Sequence, residues 1–178
     1  MDLLENYRAL AQYNRWMNEK LYGVCSKLAD AERKRDRKAF FGSIHKTLNH
    51  LLLADRSWLS RLTGDSKRFA SIGEDGKAID VHGLDQELYS DFGRLREERE
   101  KTDSDIEAYV ARLKSSDLEK PLRYKTTAGK SFEHPLWWAL SHFFNHQTHH
   151  RGQVTTLLSR LGHDPGVTDL VAMLRGPM

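Results

Sequence analysis

Cysteine is all but missing from this chain. Among 178 residues only Cys25 carries a thiol, so no disulfide can close within it. That excludes a disulfide-stapled scaffold and fits a reducing compartment, which we read as the cytoplasm. Long apolar runs are missing as well. No stretch approaches the roughly 20 residues needed to cross a bilayer. The opening, Met1-Asp2-Leu3-Leu4-Glu5-Asn6-Tyr7-Arg8, carries acids and no apolar segment, so it does not read as a signal peptide. Charge of one sign is scarce: 28 Lys and Arg face 25 Asp and Glu, a net of +3. The basic runs Glu32 to Lys38 and Arg94 to Lys101 are interleaved with acids and read as solvated faces. No basic stripe alternates with aromatics, so neither nucleic acid nor a membrane is expected as a partner.

What is present is an ordinary folding chain, 39% hydrophobic and 30% charged, a profile neither disordered nor membranous. No internal repeat, low-complexity tract or long linker divides it, so residues 1–178 read as one domain. From Asp2 to Tyr22 the residues Leu3, Leu4, Tyr7, Leu10, Ala11, Asn14, Met17 and Leu21 recur at helical spacing, with Gly23 marking the end. The polar stretch Asp30 to Lys38 reads as a loop with some helix. A second helix starts after Ser43, a good N-cap, and runs to Leu62, with Gly64 as its stop. Residues 63–84 form a long connection. A third helix is expected from Leu84 to Leu113. Alternation around Ala128-Gly129 between Leu118 and Glu133 suggests a short β-hairpin. A fourth helix begins at His134-Pro135 and ends at Leu161-Gly162. The apolar stretch Leu170 to Leu174 in the tail reads as one helical turn or an edge segment. The fold class is all-α, a four-helix bundle with one hairpin between its third and fourth helices.

The chemistry-bearing feature is histidine. Four of the nine fall close together on the fourth helix: His142, His146, His149 and His150. With His142 set at zero, His146 lies at about 40°, His150 at about 80° and His149 at about −20° on the helical wheel. The apolar arc of Ala139, Leu140, Phe143, Val154, Leu157 and Leu158 centres near about 110°. His146 and His150 therefore border the core, while His142 and His149 sit towards the rim. An i, i+4 pair stacks two imidazoles on one face and lets one helix supply two metal ligands, as in zincins. A third ligand must come from a neighbour. On the second helix the wheel leaves His45 and His50 open at opposite edges of the core. Depth along the helix favours His50, which is nearer the middle. His45, His82, His134 and His163 read as ordinary histidines.

Several stretches also carry a resemblance. Thr47-Leu48-Asn49-His50-Leu51-Leu52-Leu53-Ala54-Asp55-Arg56-Ser57-Trp58, Asn145-His146-Gln147-Thr148-His149-His150-Arg151-Gly152-Gln153, Tyr13-Asn14-Arg15-Trp16-Met17-Asn18 and the closing Asp164 to Leu170 resemble the signatures of the DinB/YfiT-like family. The resemblance spans nearly the whole chain. It implies a four-helix bundle with a three-histidine divalent-metal site, zinc or nickel, often in a homodimer. The matching positions are His50, His146 and His150. It also implies small-molecule partners: members of known activity include thiol S-transferases using glutathione, mycothiol or bacillithiol, and a thiol-dependent maleylpyruvate isomerase. The family name refers to damage-inducible expression and does not imply DNA binding.

Three neutral imidazoles leave coordination positions open, the pattern of a catalytic rather than a structural metal. The expected function is a metal-dependent thiol S-transferase or small-molecule hydrolase; the alternative is a protein that binds metal or a small ligand without catalysis. Gln153, at about 20° on the wheel, falls among the histidines as an orienting group. Asp55 lies in an apolar arc and is either the partner of a buried arginine or an orienting carboxylate for a ligand histidine. Arg61 shares the His50 face and is either a surface ion-pair partner or an anion-binding group. Trp58, Trp137 and Trp138 read as core or pocket wall. Cys25 reads as a small packed residue rather than a catalytic thiol.

Overall fold

A computed structural model describes residues 2–126 and 129–176. Among them are six helices and one hairpin: α1 (Leu3–Cys25), α2 (Asp30–Lys34), α3 (Ile44–Thr63), α4 (Phe92–Arg112), β1 (Pro121–Lys125), β2 (Ser131–Pro135), α5 (Leu136–Arg160) and α6 (Leu170–Arg175). The fold is mostly helical. Four helices are long, and α1 and α3 each pack against both α4 and α5. None of the helices is long and apolar enough to cross a membrane.

The long helices begin where side chains satisfy their first amides. Asp2 accepts from Leu4 N at 3.0 Å, Ser43 from Lys46 N at 3.1 Å and Asp91 from Arg94 N at 2.7 Å. The start of α5 is capped differently. Pro135 occupies its N-cap position and has no hydroxyl or carboxylate to offer. Backbone carbonyls of the preceding segment serve instead: Leu136 N donates to Lys120 O at 2.9 Å and Trp137 N to Leu118 O at 3.0 Å. The chain just before β1 thus fixes where α5 begins. The hairpin strands are antiparallel, with Pro121 opposite Pro135 and Tyr124 opposite Phe132. Ala128 of the expected turn lies outside the described residues.

Three boundaries differ from the sequence expectation. α5 starts at Leu136 rather than His134-Pro135, because those two residues pair with Leu122 and Pro121 in the hairpin. α1 continues past Gly23 to Cys25, since nothing at that glycine forces a left-handed turn. α4 starts at Phe92 rather than Leu84. The reason is tertiary: Leu88 N and Tyr89 N both donate to the buried Asn49 Oδ1 at 2.9 Å, which takes them out of any helical ladder. Gly64 closes α3 as expected, in the left-handed region at φ 73°.

The apolar core is divided. Leu4, Tyr7, Leu59, Ile106, Leu140 and Phe143 belong to one cluster; Met17, Leu21, Leu48, Leu52, Leu95 and Leu158 belong to the other. Buried polar residues lie between the two sets: Asn14 in α1, Asp55 and Arg56 in α3, Glu98, Arg99, Thr102 and Asp103 in α4, and Gln147, His150 and Arg151 in α5. Arg99 bridges Asp55 at 2.6 Å and Asp103 at 2.9 Å, and Asn14 and Asn18 donate to Asp103 at 2.8 and 2.9 Å. Arg56 reaches Glu98, Thr102, Ser71 and Tyr89. This polar layer crosses the molecule at the height of the histidines.

Candidate metal centre

His50 comes from α3, and His146 and His150 from α5. One nitrogen from each of the three lies within 4.8 Å of the others. The imidazole rings are 4.4 to 5.2 Å apart, centroid to centroid. His50 and His150 are buried and His146 is half-buried.

The outer nitrogens decide the tautomers. His50 Nδ1 lies 2.7 Å from the Leu84 carbonyl oxygen, which can only accept, so the proton sits on Nδ1 and the Nε2 lone pair is free. His150 Nδ1 likewise donates to Gln153 Oε1 at 2.9 Å. The amide nitrogen of the same Gln153 approaches His149 Nε2 at 3.3 Å, consistent with that orientation. His50 Nε2 and His146 Nε2 then meet at 3.3 Å. Two nitrogens at about 2.05 Å from one tetrahedral ion stand about 3.3 Å apart, so this pair has the spacing one ion requires, and a nitrogen of His150 lies within 4.8 Å of both. Burial pushes the pKa of all three imidazoles down, and for His146 the neighbouring histidines add to it, taking it to about 3. The rings are neutral at neutral pH, the form that ligates metals. Among the described residues no cysteine or carboxylate joins the three.

The other predicted residues fall around this centre in distinct ways. Gln153 orients His150, as above. His149 stands beside His150 with ring centroids 4.8 Å apart, on the exposed side of α5. His142 lies 5.7 Å from His146 and packs 5.1 Å from the Trp58 ring. Arg61 lies over Trp58 at 4.8 Å. Asp55 is a buried ion-pair partner of Arg99, and no hydrogen bond joins it to any of the three histidines. His45 is fully buried and bonds the Tyr89 carbonyl at 2.9 Å, away from the centre. Cys25 is packed in the core, where burial pushes its thiol up to about 12. Trp137 packs against the core and Trp138 is exposed.

Three contributors were not legible in the sequence. The Leu84 carbonyl is backbone and has no residue signature. Asn49 holds the segment that carries Leu84: its Oδ1 takes two amides, and its Nδ2 donates to His45 O and Tyr89 O at 3.1 Å. Its position beside His50 was the available signal. Phe41 stacks on His50 at 3.9 Å and 23°, closing one side of the centre.

Residues 3–176 match the DinB family. The chain belongs to that family. It is 26% identical over 162 residues to Protein DinB of Bacillus subtilis strain 168, an alignment covering 90% of this chain and 88% of the relative. A crystal structure of a DinB-like protein from Bacillus cereus ATCC 10987 is similar at a TM-score of 0.59 and 20% identity, covering 89% of this chain and 95% of that one. That second likeness speaks to the fold. Family membership and the three-histidine cluster together are compatible with metal binding by this DinB-family chain.

Proposed function

We propose that His50, His146 and His150 hold one divalent ion, zinc or nickel, and that the protein uses it as an enzyme on small molecules. The reaction class is transfer of a low-molecular-weight thiol, or hydrolysis. In this reading the four long helices form a DinB-type four-helix bundle, and the protein acts as a cytoplasmic homodimer. The observation that carries the reading is the convergence of one nitrogen from each histidine within 4.8 Å of the others, with Nδ1 of His50 and His150 anchored outward.

A bound divalent cation supplies Lewis acidity and lowers the pKa of a water or thiol that joins it. The chain's own residues do the rest. Leu84 O and Gln153 orient two ligand rings and raise their basicity. Phe41 excludes water from one side. His142 and His149 stand at the rim, where a substrate can reach them. Cys25 is buried in the core, so a thiol nucleophile must come from outside.

The test is metal content of protein purified without a histidine tag, for wild type and for His50→Ala, His146→Ala and His150→Ala. One equivalent in wild type and loss in each variant is expected; unchanged stoichiometry in folded variants overturns the assignment. Turnover of an epoxide or chloronitroaromatic with glutathione, bacillithiol or mycothiol, abolished by chelation, supports catalysis. A panel without metal-dependent turnover places the protein among non-catalytic metal binders.

A further inference from the structure

Three elements converge beside the histidines. Trp58 and Arg61 come from α3, Tyr124 from β1 and His142 from α5. The Arg61 guanidinium lies over the Trp58 ring at 4.8 Å and the Tyr124 ring at 5.5 Å, and those two rings are 5.3 Å apart. Tyr124 is itself fixed, its hydroxyl 3.2 Å from His134 Nε2. Trp58 then contacts His142, and His142 contacts His146. A continuous aromatic surface therefore leads from the cation to the candidate metal centre.

Arg61 is half-buried, and among the described residues no carboxylate pairs with it. Two basic residues on the opposite side of the centre differ: Arg37 pairs with Glu32 and Lys38 with Asp36. Partly burying a guanidinium without an anion is costly. Two ring faces offset part of that cost and hold the planar group in place. Its N–H edge stays open to solvent, pre-organised as a fork that matches a carboxylate.

We propose that Arg61, with Trp58, Tyr124 and His142, binds the anionic end of the substrate: a small planar carboxylate whose other end reaches the histidine triad. This rests on the proposed function for the site of reaction, and not for the anion itself. The opened N–H fork binds the carboxylate, and the ring surfaces pack against the flat body of the molecule.

The test uses benzoate as probe and benzamide as its neutral counterpart, with wild type, Arg61→Met and Arg61→Lys, each with zinc and with chelator. Calorimetry reads affinity, and NMR reads the arginine Nε–H resonances. Wild type is expected to bind benzoate saturably in the millimolar range or tighter, shifting the Arg61 resonance, and benzamide more weakly. Arg61→Met should weaken benzoate at least about tenfold, the scale of one charge-assisted bidentate contact. Arg61→Lys, which keeps the charge and loses the fork, should fall between. Absence of saturable benzoate binding, equal affinity for the two probes, or benzoate affinity unchanged in both variants overturns the proposal. Benzoate binding that follows zinc and ignores Arg61 also overturns it while supporting the metal reading. Binding that follows Arg61 in a protein that takes up no metal keeps this proposal and overturns the other.

Discussion

Replacing Arg99 with methionine removes the cation that bridges two buried carboxylates. Arg99, Asp55 and Asp103 are each 2% exposed or less, so water cannot substitute. Asp103 would keep its two asparagine donors, but neither it nor Asp55 would keep a direct salt-bridge partner. Removing one partner of a buried ion pair costs about 3–5 kcal/mol. Against a total stability of about 5–15 kcal/mol that is a large share. At about 2–4 °C per kcal/mol for a domain of this size, Tm should fall by roughly 6–20 °C. The loss should depend on pH. Burial pushes the Asp103 carboxyl up to about 6, with Arg99 pulling against it. Its folded pKa stands above the unfolded value, so the folded state binds the proton more tightly. Stability from this group is present at low pH and is lost as pH rises through about 6. Without Arg99 the carboxyl rises further, so the variant's deficit is largest near neutrality and shrinks on acidification. Urea unfolding followed by circular dichroism at pH 5 and 7 measures both. The double variant Arg99→Met, Asp103→Asn removes one buried charge of each sign, leaves Asp55 facing the buried Arg151, and should recover much of the loss. A deficit under about 1 kcal/mol, well below the buried-pair range, or one equal at both pH values, or a double variant no better than the single, refutes the reasoning.

Asn49→Ala strands two buried amides and should cost about 2–4 kcal/mol by urea unfolding. Because Asn49 holds the segment bearing Leu84, the same variant should also lower metal affinity; unchanged affinity would show that Leu84 O is held independently. Gln153→Ala frees His150 Nδ1 and should weaken metal binding about 10- to 100-fold in chelator competition. Gln153→Glu keeps an acceptor there and should bind more tightly than the alanine variant. Ser43→Ala removes the N-cap of α3 and should destabilise by about 0.5–2 kcal/mol without changing metal stoichiometry.

Much of this was legible from local rules. Helical spacing located the long helices, and Ser43 and Gly64 bounded α3 because capping is a property of a few adjacent residues. The i, i+4 spacing picked His146 and His150 out of four clustered histidines, since a wheel needs only sequence separation. The same arithmetic could not choose between His45 and His50, which lie at opposite edges of one face. Depth along the helix and the family resemblance favour His50, and the structure brings it to the α5 pair while His45 turns to the Tyr89 carbonyl. The expected extension of α4 back to Leu84 failed because Asn49, a distant residue, claims the amides that a helix would have used.

By itself, then, the sequence determined the helical class, the family and the three ligand candidates, because periodicity, caps and motif spacing are written in neighbouring residues. The tertiary structure decided what those residues do to one another. It set the tautomers of His50 and His150 through a backbone carbonyl and an amide, gave Asp55 to Arg99 rather than to a histidine, and left Arg61 against two rings with no carboxylate partner among the described residues. Each of these depends on which groups meet across elements, and on how much water remains between them, and neither is encoded in local spacing.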